Sequence, residues 1–204
     1  MTLLRADFAV ALMLSVSMFQ SGQRHGPPIP PPAPGEPIRN QADYPHPPPT
    51  LVEMFRTADL IIVGRVETVG TATADRTATR PTVYRDHTVL ITEVLKPFER
   101  FDVNARIVVM QLGGTIDLDG REVSTNYPAR LLEQDQNVVL FLSKDPRAGR
   151  VGFTVSWGQN GHILLRDSAT AEIPLEVSKT PELRGRVSLP VRELLQTLRG
   201  LNPR

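Results

Sequence analysis

From residue 50 onward the apolar positions change their period along the chain, and each change marks an element. In TLVEMFRT, Leu51, Met54 and Phe55 recur at helical spacing, which predicts a short helix ending near Thr57. Thr50 and Glu53 stand three apart at its start and predict a capping box: Thr50 accepts from the Glu53 amide while Glu53 reaches back to Thr50. Leu60-Ile61-Ile62-Val63 then turns to β-branched residues, which suit a pleated strand, and Gly64 within it predicts a bend or a close backbone approach. TATADRTATRP, residues 71–81, is polar and low in complexity, so a mobile hairpin connection is expected there.

Five further apolar stretches read as strands. VYRDHTVLITEVL (83–95) carries the consecutive Val89, Leu90 and Ile91, which predicts burial on both faces at that point. ARIVVMQL (105–112) and NVVLFL (137–142) follow. Val151–Trp157 and His162–Arg166 are separated by Gly158-Gln159-Asn160-Gly161, a strong hairpin-turn signal. In the closing LPVRELLQTLRGLN, Pro190 suits a first helical turn, Val191, Leu194, Leu195 and Leu198 form an apolar stripe, and Gly200 can end the helix. Short strands without helix-length crossovers argue against a parallel α/β architecture. The expectation is one mainly β domain over residues 50–204: a five- to seven-stranded OB-like barrel, or a small sandwich, with a short N-terminal and a C-terminal helix.

Residues 1–49 fall outside this pattern. FAVALMLSVSMF (8–19) behind Arg5 is too short for a spanning helix of about 20 residues and reads as a secretory signal covering residues 1–21. Asp7 dilutes its positive start, and Ser15-Val16-Ser17 is the best small-residue cleavage candidate. An uncleaved anchor is the alternative, followed by a mistaken start codon or a buried segment. Residues 22–49 form a proline-rich linker; positions 26–49 hold eleven of the nineteen prolines. Proline fixes φ and donates no hydrogen bond, so a disordered or polyproline II spacer is expected, one unable to join a helix or sheet. Its PxxP spacing leaves a docking peptide as the lesser alternative.

Net charge is +1 for the whole chain, and residues 1–49 carry three charges of each sign, so the domain is equally balanced. That offers phosphates little attraction, and no nucleic-acid partner is expected. The basic residues are twenty Arg and three Lys, a bias that fits genome composition better than a site. No cysteine is present, which excludes disulfides, Cys-ligated metals, a thiol nucleophile and an acylated cysteine anchor.

TADLIIVGRVETV, then HTVLITEVLKPF, a GG turn and NVVLFL together resemble small secreted bacterial OB-fold domains. Their order is similar to the netrin-like module of tissue inhibitors of metalloproteinases, across roughly residues 50–166. Inhibitors of that class use an N-terminal cysteine against the protease zinc. This chain lacks it, so the resemblance implies the fold and not the inhibition.

The most suggestive stretch for chemistry is QLGGTIDLDGRE (111–122). No helix signal follows its glycines, as a phosphate loop requires. Asp117, Asp119 and Glu122 give only a truncated calcium loop. Asp119-Gly120 is a preferred two-residue hairpin turn, and that reading prevails over a weak cation site. His25 and His46 lie in the tail; Asp86 and His87 are strand neighbours that point to opposite faces; His162 follows a glycine turn. Tyr84 and Arg85 also alternate faces, which weakens a stacking surface for single strands. Tyr84, Phe98, Phe101, Tyr127 and Trp157 are the aromatics that can be exposed, and Trp157 is either core or an anchor for a partner.

No catalytic, cofactor-binding or metal-binding residue is assigned, and no cofactor is expected. The expected role is that of an exported, monomeric, non-catalytic module at the cell envelope, engaging an unknown protein partner through loops 71–81, 113–126 and 143–150. A membrane enters only through an uncleaved N-terminal segment. The alternatives are a hydrolase assembled from His87, His162, Asp117 and Ser156, and a structural envelope component.

Overall fold

The computed structural model describes residues 37–41, 50–76, 81–98, 101–126, 131–145, 152–167 and 169–201, all within the compact unit Pro32–Arg204. The candidate signal and most of the proline-rich tract lie outside them. The elements begin with β1 (Ile38–Gln41), α1 (Leu51–Thr57), β2 (Leu60–Val69), β3 (Thr73–Asp75), β4 (Thr82–Lys96) and β5 (Arg106–Leu112). There follow β6 (Gly114–Asp117), β7 (Glu122–Asn126), β8 (Asn137–Lys144) and β9 (Phe153–Val155). A 3₁₀ turn (Gly158–Gly161) leads to β10 (His162–Arg166), β11 (Thr170–Glu172), α2 (Leu175–Ser178), β12 (Ser188–Pro190) and α3 (Val191–Gly200).

Five of these strands close a barrel. Neighbours run β8-β2-β4-β5-β9, and β9 pairs back onto β8. Counted in chain order, the five stand in the cyclic order 1-2-3-5-4, and the third and fifth strands pair in parallel at Val109↔Phe153. That is the Greek-key circuit of an OB barrel. Curvature is set partly at Gly64, beside a register shift in the β2–β4 ladder. A Cβ at that position would lie 2.7 Å from Val89 Cγ1 and 2.9 Å from the Leu90 carbonyl oxygen.

The apolar runs serve two cores at once. Alternate residues Leu60, Ile62, Leu140 and Leu142 fill the barrel with Val89, Ile91, Ile107 and Val109. Their strand neighbours Ile61, Val63, Val139 and Phe141 point outward, under α1, α3 and the β10 extension. Leu51, Met54 and Phe55 of α1 and Leu194 and Leu198 of α3 cover that outer layer, as their periodicity predicts. Lys96, the last residue of β4, ties α1 to the barrel: its ammonium donates to the Phe55 (3.0 Å), Arg56 (2.7 Å) and Ala58 carbonyls. Those are carbonyls at the helix C-terminus, where a cation is favoured. Burial lowers the Lys96 pKa, and Asp59 opposes that shift. Lys96→Met keeps the stem and removes three hydrogen bonds, so a loss of about 1–2 kcal/mol in urea unfolding is expected. An unchanged midpoint would show that water replaces the ammonium at no cost.

Several expectations are corrected. Half of the capping box forms: Thr50 Oγ1 accepts from Glu53 N at 3.1 Å. Glu53, however, takes the Thr50 hydroxyl at 3.3 Å, and it is Glu182 Oε2 that takes the Leu51 amide at 3.1 Å. Leu90 is half-buried, so the 89–91 run is not covered on both faces. Within 71–81, Thr73–Asp75 pairs with β4 instead of forming only a connection, and residues 77–80 lie outside the described residues. The turn at 158–161 makes no hairpin, because β9 and β10 sit in series along β8, opposite Leu142–Lys144 and Asn137–Leu140. Four residues of the presumed linker do join a sheet. Ile38–Gln41 contains no proline, so its amides are free to pair with β7.

Candidate functional site

Residues 114–126 form a hairpin that belongs to a sheet of its own, outside the strand circuit of the barrel. Leu118 N donates to the Arg121 carbonyl at 2.8 Å and Arg121 N to the Leu118 carbonyl at 3.2 Å. Asp119 (φ 57°) and Gly120 (φ 78°) occupy the two central positions, the left-handed pair that a type I′ turn requires. The Asp117 carboxylate accepts the Gly120 amide at 2.8 Å, and exposed Asp119 lies 3.6 Å from the Arg76 guanidinium. The aspartate-rich run is therefore a turn whose acids are already engaged. Among the described residues, no group of three or more His, Cys, Asp or Glu side chains could hold a metal ion.

This hairpin gathers three stretches that are far apart in sequence. Gly113 N donates to the Val83 carbonyl at 2.9 Å, and the buried Thr125 hydroxyl accepts from Val83 N at 2.8 Å. Together these hold the hairpin against β4. Arg76 brings the 71–76 stretch to its tip. On the other side β1 lies parallel to β7, from Ile38↔Val123 to Gln41↔Asn126, and the Asn40 amide donates to the Pro81 carbonyl at 2.6 Å. Of the third nominated loop, Lys144 N donates to Asp59 Oδ2 at 2.8 Å, and residues 146–150 lie outside the described residues.

The four residues of a dispersed hydrolase site do not assemble into a relay. Asp117 caps its own turn. Ser156 shares a 2.7 Å hydrogen bond with Ser143. His162 is buried on β10 opposite Leu140. His87 is fully buried inside the barrel, and among the described residues no partner reaches either ring nitrogen. Burial, then the charge of Arg85, lower its pKa to about 4, against a smaller opposing effect of Asp86. His87 is thus a neutral imidazole at ordinary pH.

The aromatics are mostly structural. Phe98 and Phe101 meet the Phe153 ring edge-on, at centroid distances of 5.9 and 5.4 Å. Tyr84 is buried, and Tyr127 lies outside the described residues. Trp157 packs edge-on against Phe141 at 6.2 Å and is half-buried, held in a left-handed conformation at φ 53°. Sequence reasoning missed Gln111, which is 2% exposed and shares a strand face with Ile107 and Val109. Its signal was legible. Gln111 interrupts the apolar alternation of β5 as Arg85 and His87 interrupt that of β4, between Val83 and Val89.

No known protein family matches the chain, and no curated protein matches it.

Proposed function

We propose that the chain is an exported, non-catalytic binding module, carried on its proline-rich segment, that engages a protein partner at the cell envelope. The observation that carries this reading is the tip built from 71–76, 113–126 and 38–41. There the hairpin edge accepts an extended segment through main-chain hydrogen bonds. With β7 paired on both sides, the outer edge of β6 is the hairpin edge suited to taking another peptide, as strand-addition domains do. Most of the barrel interior is packed with apolar side chains, which places the accessible recognition surface for a protein on the loops. Kinship with the netrin-like module belongs to the same proposal, as shared architecture without the cysteine-dependent inhibition.

The test places a photo-crosslinking residue at exposed Thr115 of the full chain and, as control, at exposed Arg192 of α3. In an envelope extract, Thr115 is expected to capture one discrete protein that Arg192 does not. Equal capture from both positions, or none from Thr115, would overturn the reading.

A further inference from the structure

Arg85 and Gln111 face each other directly across the β4–β5 ladder, and His87 lies opposite Val109, diagonal to Gln111 on the same face. Three polar side chains therefore share one interior patch among Val83, Val89 and Val109. Their unused groups are nearly all donors. Gln111 Oε1 accepts the Leu132 amide at 2.8 Å, which orients the carboxamide and leaves Nε2 without an acceptor. Arg85 Nε is buried and also lacks one, and neither nitrogen of His87, one the N–H donor of the neutral ring and the other an acceptor, has a partner. Buried donors without acceptors are costly, and native folds seldom leave several on one patch.

The patch has a side uncovered by any side chain of residue 114. A Cβ there would sit 3.5 Å from each of Arg85 Nε, Val83 Cγ1 and Ala72 Cβ, and Gly114 holds φ at 120°, which excludes one without strain. The Gly-Gly pair that looked like a phosphate loop thus leaves a methyl-sized space, unfilled by its own side chain, against an inward-facing arginine. Half-buried Arg85 links this space to the surface.

We propose that Arg85, His87 and Gln111 form a binding site for a single carboxylate, beside Gly114 at this end of the barrel. The chemistry selects the ligand. Three donors on one sheet face with one positive charge match an acceptor carrying one negative charge. A dication is disfavoured beside Arg85, and a phosphate dianion exceeds the charge available. The carboxylate belongs either to a small free acid or to a polypeptide, and the site lies at the base of the proposed partner tip, against Ala72 and Gly114.

The test follows the His87 ring and Gln111 carboxamide NMR signals of the full-length protein. Acetate is titrated first, then a tripeptide with a free C-terminus and the same tripeptide amidated, with chloride at matched ionic strength throughout. Saturable shifts with acetate would identify a small-acid site; saturation by the free tripeptide alone would identify a polypeptide carboxylate. Either supports the proposal. Arg85→Gln, with backbone spectra confirming the fold, should weaken binding roughly tenfold or more. Shifts that do not saturate, that chloride or the amidated peptide reproduces, or that survive Arg85→Gln would overturn it. If inorganic phosphate bound more tightly than acetate, the charge-matching argument and the carboxylate assignment would fail.

Discussion

Acidification from pH 7.5 is expected to destabilise the protein through His87 by about 2 kcal/mol at pH 5 and about 3 kcal/mol at pH 4. In the folded chain its pKa is held near 4, against an ordinary value of 6.5, because the ring is buried and faces the charge of Arg85. The unfolded chain therefore binds the proton more readily. The stability conferred by a neutral His87 is complete above pH 6.5, declines as pH falls, and is largely lost by pH 4. His87→Leu removes the titrating ring while keeping a side chain of similar bulk. Urea denaturation of both proteins, in a buffer free of carboxylates, should give curves that diverge between pH 7 and 5, with the variant losing less stability. Parallel curves would mean that His87 reaches a proton-accepting partner or water and is not held neutral. If the carboxylate site exists, saturating acetate should shrink the divergence, since a bound anion favours the protonated ring.

Gly161→Ala is expected to be the most damaging single-methyl change in the domain. Its Cβ would stand 1.8 Å from the Ser156 carbonyl oxygen and 3.0 Å from Val155 Cγ1. The first of these is backbone, so no rotamer change relieves the clash. The turn that carries the chain from β9 to β10 must open, and β9 is the strand that closes the barrel between β5 and β8. A loss of about 3 kcal/mol or more follows, at or beyond the usual cost of overpacking. The single Trp, Trp157, sits at the start of this turn against Phe141, so its emission should shift in the native state as well. Gly200→Ala is the control. Nothing lies within 4 Å of the added carbon, and the position closes a helix, so the effect should be neutral or stabilising by up to about 1 kcal/mol. Similar losses in both variants would show that the turn at 158–161 can relax.

The hydrophobic pattern by itself determined the fold class. LIIV and NVVLFL mark the central strands, the 51–55 and 191–198 spacings mark the two covering helices, and Gly64 marks a bend. Asp119-Gly120 also named its own turn, because left-handed φ at two successive positions is a demand that few residue pairs meet. These are local properties, set by neighbours within a few residues, so they are written in the chain.

What the tertiary structure decided is non-local. The sequence offered no sign that Ile38–Gln41 would pair with β7 some eighty positions away, because strand pairing depends on which edge is open after the barrel has closed. The same holds for β9 and β10. Their separating glycines read as a hairpin, yet β8 has an edge long enough to take both in series. His87 offered only a strand position. Its depressed pKa arises first from burial as five strands close around it and then from the charge of Arg85 on its own face. Gln111 breaks the apolar alternation of β5 in the sequence, but it becomes half of a donor pair because register sets it opposite Arg85. Period tells which residues share a face; only the closed barrel determines which faces meet and which polar groups water can no longer reach.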